Sequence, residues 1–204
     1  RSMRALWLLH EIGVPFEVQE WPFDKTLRSQ EFLALNPSGR VPALEIDGRT
    51  IWESGAILEY LCERFPEAGL GRAVGDPERA EFLVWLHFAE TISQHTAALT
   101  QQHVALYDDS MRSPVVMQIE AKRIEKCYAA LEDRLSDYLL TEFSAADIAV
   151  GQAVYMSRYF ARTDGFPKLS AWYDRITDRP AFRASLPGEA RLYVQDFYEP
   201  WDAS

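Results

Sequence analysis

Residues 40–55, R-V-P-A-L-E-I-D-G-R-T-I-W-E-S-G, leave a chain few ways to fold. Asp47-Gly48 separates two short β-prone runs, residues 43–46 and 50–52, and supplies the positive φ angles that a two-residue hairpin needs. Pro42 stands at the entrance of the first run. There it is either an edge-strand proline, since it has no N–H for a ladder, or a cis peptide fixing a tight bend. Directly behind the second run, Glu53 and Ser54 open a helical pattern to residue 65, with Ile57, Leu58, Leu61 and Phe65 at core spacing. A hairpin that feeds straight into a helix predicts a layered α/β unit.

The flanking sequence extends that unit. Residues 3–12 read as a helix ended by Gly13, with Leu6, Trp7 and Leu9 inward. Residues 14–23 alternate well enough for a strand that Pro22 and Asp24 close. Ser29 can cap a short helix to Leu35, stopped by Asn36-Pro37. Near residue 75 the period changes. After the link G-L-G-R-A-V-G-D-P the pattern is helical throughout: residues 78–107, then 114–138 from Pro114, then a helix from Ser144. There Ser144 and Asp147 form an acidic variant of the capping box, and Phe143 and Ile148 suit a hydrophobic staple across it. Residues 168–177 and 180–184 give shorter helices, and the tail from Pro187 is aromatic and irregular. The sequence predicts an α/β domain over residues 1–70 and an all-helical domain over 77–204.

Composition removes several classes of function. A net charge of −10 with no basic stripe argues against nucleic acid. Apolar runs stop well short of the ~20 residues of a membrane helix. No secretory leader pattern is visible, although the chain opens at Arg1 without an initiator Met. Cys62 and Cys127 are far apart inside helical patterns, which reads as two small hydrophobes in a reducing cytoplasm rather than a redox pair. His87, His95 and His103 recur every eight residues, so they drift around a helix instead of lining one face as metal ligands. They read as solvated or core-edge residues, and no metal is expected.

The residues around Val41 and Ser54 carry the chemistry. A bend at Pro42 leaves the N–H and C=O of Val41 free to pair with an extended ligand backbone. A helix start with a hydroxyl, as at Ser54, is suited to a carboxylate, and the adjacent Glu53 can hold an ammonium beside it. Together they describe a receptor for an amino-acid head group on an extended peptide. Singly, each has a plainer role: Glu53 complementing the helix dipole, Ser54 capping, Pro42 edging a strand.

With these motifs in view, V-P-A-L, the D-G hairpin and E-S-G-A-I-L-E-Y-L resemble the glutathione-binding half of a cytosolic glutathione S-transferase. R-S-M-R-A-L-W-L-L-H-E-I-G-V-P-F-E resembles that family's first helix leading into its second strand. F-S-A-A-D-I resembles the capping box of its helical domain, and D-R-P-A-F also fits. The resemblance implies a thioredoxin-like N-terminal domain, an all-helical C-terminal domain and a homodimer. It implies that Glu53 and Ser54 hold the γ-glutamyl group of glutathione, that Val41 pairs with the cysteinyl unit beside a cis Pro42, and that Arg40 approaches the glycine carboxylate. Arg40 can equally support the turn or face solvent.

The implied activity is conjugation of the glutathione thiolate to small hydrophobic electrophiles, a detoxification chemistry, with Trp85, Phe88 and Ile92 either walling the electrophile site or packing the core. The alternatives are a glutathione-dependent reductase or peroxidase, or a non-catalytic glutathione-binding module. In the family a Tyr, Ser or Cys just after the first strand activates the thiol, ahead of the arginine matching Arg4. The position falls before Arg1, so the catalytic residue is unassigned. Ser2 is the only nearby hydroxyl, better suited to the first turn of the helix. The expectation is that roughly ten residues, a strand and the activating group, precede Arg1. A Gly-containing turn usual near residues 140–142 is also absent, which implies a shortened loop or dropped residues.

Overall fold

A computed structural model describes residues 1–188, 193 and 195–198. Ser2–Ile12 forms α1, closed by Gly13 in the left-handed region (φ 78°) with its N–H donating to the Leu9 carbonyl. Gln30–Leu35 forms α2, where Ser29 Oγ accepts the Phe32 N–H at 3.2 Å, the cap expected from sequence. Ala43–Ile46 (β1) and Arg49–Trp52 (β2) pair antiparallel, with Ala43 opposite Trp52 and Ile46 opposite Arg49. Asp47 (φ 51°) and Gly48 (φ 71°) make the turn, as the Asp-Gly pair predicts. Ser54–Arg64 is α3, burying Ile57, Leu58, Leu61 and Cys62.

Residues 14–23 do not form the expected strand. A strand exists only through pairing, and among the described residues the single ladder is β1–β2. Residues Val14 to Gln19 and the β1 residues instead line the same cavity of about 640 Å³ under Ala5, Leu6 and Leu9. Phe16 leans on His10, while Glu17 to Glu20 face solvent.

The helical part begins with α4, Arg79–Thr100, followed by a wide π turn, Gln101–Ala105. The α-helix therefore stops short of the predicted residue 107. Pro114–Arg134 is α5, with Pro114 in its first turn and Ser113 Oγ as cap. It ends before the predicted residue 138: Leu135 already has extended backbone (φ −66°, ψ 134°), and Leu135, Leu139 and Leu140 are buried on the irregular segment that follows. That segment is held closed by side chains. Asp147 accepts the Leu139 N–H at 3.0 Å, and Glu78 accepts the Thr141 N–H and hydroxyl at 2.9 and 2.7 Å. The loop without glycine is thus a fixed turn.

Ala145–Ser157 (α6) carries the expected capping box, with Ser144 and Asp147 bonded reciprocally and Phe143 and Ile148 both buried. Pro167–Thr177 (α7) and Pro180–Ala184 (α8) complete the described helices. Most of the predicted irregular tail from Pro187 lies outside the described residues.

The core is continuous across both parts. α4 packs on α5 and α6, and α1 packs on α3, α6 and α8. Trp7 is fully buried, edge-on to Phe182 with ring centroids 4.9 Å apart. Glu11 accepts from the Trp7 indole at 3.0 Å and takes a two-point bond from Arg179 at 2.6 and 2.7 Å. The link between the parts is equally fixed. Ala145 donates to the Leu70 carbonyl at 2.8 Å, Arg72 pairs with Glu78 at 2.8 Å, and Arg79 bonds Glu59.

Candidate functional site

The ladder decides where the five expected site residues go. Ala43 opposes Trp52, so the chain entering β1 and the chain leaving β2 lie at the same end of the hairpin. Val41-Pro42 and Glu53-Ser54 therefore neighbour one another. The Val41–Pro42 peptide is cis, as expected. The approach to it is set by the turn at Asn36, whose side chain donates to the Arg40 carbonyl at 2.5 Å and accepts the Ser38 N–H at 2.9 Å. Gly39, at φ 66°, suits this turn, and a Cβ built there would lie only 3.0 Å from the Leu27 carbonyl oxygen. Outside the β1–β2 ladder, the Val41 N–H and C=O have no hydrogen-bond partner among the described residues. The Arg40 side chain is exposed and forms no ion pair among them.

Glu53 and Ser54 differ sharply in setting. Glu53 is exposed and sits at φ 74°, ψ 115°, a conformation that side chains rarely adopt. It stands at the N-cap of α3 without capping it: its side chain accepts no N–H of the first turn. The N–H groups of Ser54, Gly55 and Ala56 are thus left unclaimed among the described residues, at the positive end of the helix dipole. Ser54 is 4% exposed and is not a cap, so that plainer role falls away.

The Ser54 hydroxyl is held by a residue whose role the sequence did not reveal. Arg4, 1% exposed on α1, donates from Nη1 to Ser54 Oγ at 3.2 Å. The same guanidinium donates to Gln152 Oε1 (2.8 Å), Ser93 Oγ (2.8 Å), the Ala89 carbonyl (3.5 Å) and Glu90. Glu90 is shared with Arg1 at 2.8 Å. Burial alone would push the Arg4 guanidinium toward neutrality, and Glu90 opposes that. In sequence Arg4 is a lone cation in an apolar helix. The only available signal was that its spacing from Trp7 and Leu8 places it on the buried face.

Other expected residues lie elsewhere. Trp85 and Ile92 are core residues of α4, so they do not form an open apolar wall, while Phe88 is half-buried with its ring against Trp85. Ser2 lies in the first turn of α1 and lines the cavity beside residues 14–19. Cys62 and Cys127 are buried free thiols, and burial pushes Cys62 up to about 12. His95 is buried against Glu120 at 2.6 Å, His103 lies between Phe160 and Phe197, and His87 faces solvent. Among the described residues no group of three or more His, Cys, Asp and Glu side chains gathers to hold a metal. None of the described helices is long and apolar enough to cross a membrane. A second cavity, about 670 Å³, lies beyond the end of α4 between His103, Arg112 and Tyr198 and includes none of the five site residues.

The chain as a whole, a small α/β unit followed by helices, is matched by known proteins. Residues 1–64 match the family model for the glutathione S-transferase N-terminal domain, and residues 107–175 match that for its C-terminal domain. Protein LigF of Sphingobium sp. is 30% identical, over 89% of this chain and 87% of its own length. Glutathione S-transferase GstB of Escherichia coli is 29% identical, over 85% and 89%. Dichloromethane dehalogenase of Methylorubrum extorquens is 31% identical, over 84% of this chain and 66% of its own. The solved structure of a sphingomonad glutathione S-transferase complexed with glutathione superposes with a TM-score of 0.78 at 30% identity, covering 90% of this chain and 92% of that one. The chain belongs to the glutathione S-transferase family. Its fold is that family's thioredoxin-like domain, here with a small sheet, followed by a helical domain.

Proposed function

We propose that the chain binds glutathione through Arg40, Val41, Pro42, Glu53 and Ser54 and joins its thiolate sulfur to a small electrophile, transferring the whole glutathionyl group, as a homodimer in the cytoplasm. The observation that carries this reading is the hairpin register, which brings the Val41–Pro42 bend to the uncapped start of α3. In this reading the γ-glutamyl carboxylate takes the N–H groups of residues 54–56 and the Ser54 hydroxyl, and its ammonium faces Glu53. The free main-chain groups of Val41 pair with the cysteinyl unit. Arg40, with no ion pair among the described residues, takes the glycine carboxylate. The glutathione complex of the sphingomonad relative supports the ligand, and the name of the dehalogenase relative supports an electrophile that loses a leaving group.

In the reaction the bound thiol loses its proton and the sulfur attacks carbon. A C–S bond forms as the bond to the leaving group breaks and that group departs with the electron pair. A thiol of pKa about 8.5 is only partly ionised at neutral pH, so stabilising the thiolate is the main catalytic requirement. The proposed electrophile site lies between the 1–70 domain and the helical 77–204 domain.

The test combines titration with product analysis. Glu53→Ala should weaken glutathione binding at least tenfold, about 1.4 kcal/mol. Unchanged affinity in a folded variant removes the site. With an activated aryl or alkyl halide, the full-length wild-type protein should give the thioether adduct. Glutathione disulfide formed from a peroxide or disulfide substrate, without adduct, would replace transfer by reduction. Binding with no product at all would leave a binding module.

A further inference from the structure

Resting on the glutathione reading above, we propose that Arg4 is a positioning residue that aims the Ser54 hydroxyl hydrogen at the α-carboxylate of the bound γ-glutamyl group. A guanidinium has five N–H donors and no acceptor. All five are accounted for: Nε to Gln152, Nη1 to Ser54 and Glu90, Nη2 to Ser93 and the Ala89 carbonyl. No donor remains for a ligand, so Arg4 acts on the site through Ser54.

The direction of that bond is fixed by chemistry. Because Arg4 can only donate, Ser54 Oγ must accept, and its own hydrogen must go to another acceptor. A serine at a helix start ordinarily turns its oxygen toward its own helix N–H groups or its hydrogen toward a nearby carbonyl. Here neither bond is made among the described residues. Ser54 is buried, so bulk water does not randomise its hydroxyl. Ser54 is itself the first residue of α3, where three N–H groups also await an anion. A hydroxyl whose oxygen accepts from a cation is a stronger donor than a free one.

The arrangement also shows which part of the molecule sets this hydrogen. Ala89, Glu90 and Ser93 lie on α4, and Gln152 lies on α6. The helical domain therefore grips the guanidinium and, through it, orients a binding group of the N-terminal domain.

The experiment compares the affinity for glutathione with that for 4-aminobutyryl-cysteinyl-glycine, which lacks only the α-carboxylate. Wild type, Ser54→Ala, Arg4→Met and the double variant are titrated with both, and Arg4→Lys replaces Arg4→Met if the latter does not fold. The wild-type preference for glutathione should fall at least tenfold in Ser54→Ala and at least fivefold in the Arg4 variant. The double variant should lose little beyond Ser54→Ala, since both act on one hydrogen. A purely structural Arg4 would weaken both ligands equally and leave the preference unchanged, which overturns the inference. If Ser54→Ala collapses the preference while the Arg4 variant keeps it, the inference fails and the site stands. An unchanged preference in Ser54→Ala removes the carboxylate assignment itself.

Discussion

A Cβ built on Gly71 would lie 2.6 Å from the Cβ of Cys62, closer than two carbons pack without displacement. The clash is with the root of a side chain on α3, which cannot swing away. Gly71→Ala should therefore destabilise the fold by about 1–3 kcal/mol, read as a lower urea midpoint at unchanged slope. Cys62 itself acts as packing: with its thiol raised to about 12 by burial beside Glu59 and Glu63, little thiolate exists at neutral pH. Its bland role was legible from apolar neighbours alone. Arg4 was not legible, because its bond to Gln152 spans 148 residues of sequence and no local pattern encodes that distance. Glu53 shows a third case. Its identity and place before a helix were readable, but its positive φ depends on how β2 hands over to α3.

Among the elements, α6 shows most clearly how a local signal becomes tertiary structure. The Asp147 carboxylate, fully buried, accepts from the Ser144 N–H (2.9 Å), the Leu139 N–H (3.0 Å) and the Trp172 indole (2.8 Å). The cap thus also closes the 135–143 turn and anchors α7. Asp147→Ala leaves these buried donors without partners at about 1–3 kcal/mol each, so a loss of 3 kcal/mol or more is expected in chemical denaturation. A loss under 1 kcal/mol would mean that the box is only a cap. The Ser-x-x-Asp spacing was sufficient to find this helix start, and Asp-Gly was sufficient to find the hairpin. Residues 14–23 failed because alternation reports a half-buried face and says nothing of a partner. The end of α5 failed because Leu135, Leu139 and Leu140 keep helical spacing after the helix has stopped.

Across the whole molecule, Glu78 joins the linker to the far loop through Arg72 and Thr141, and those bonds hold its carboxyl down at about 2 from an ordinary 4.5. Because the folded value is the lower one, the unfolded chain takes up the proton first. The stabilising contribution is complete above about pH 4.5 and is lost as pH falls toward 2. The difference in thermal midpoint between wild type and Glu78→Gln should therefore be largest near neutrality and shrink across that window. A constant difference would place the effect of Glu78 outside its charge. Holding the parts together is also the work of α1, which belongs to the N-terminal domain by sequence yet packs on α3, α6 and α8 alike. Trp7 is a member of one domain and a core residue of both. The family's two domains are consequently not interchangeable cassettes here. A recombination that gave residues 1–70 a new helical partner would inherit a complete fold only if that partner supplied a socket for this one indole and an acceptor set for this one guanidinium.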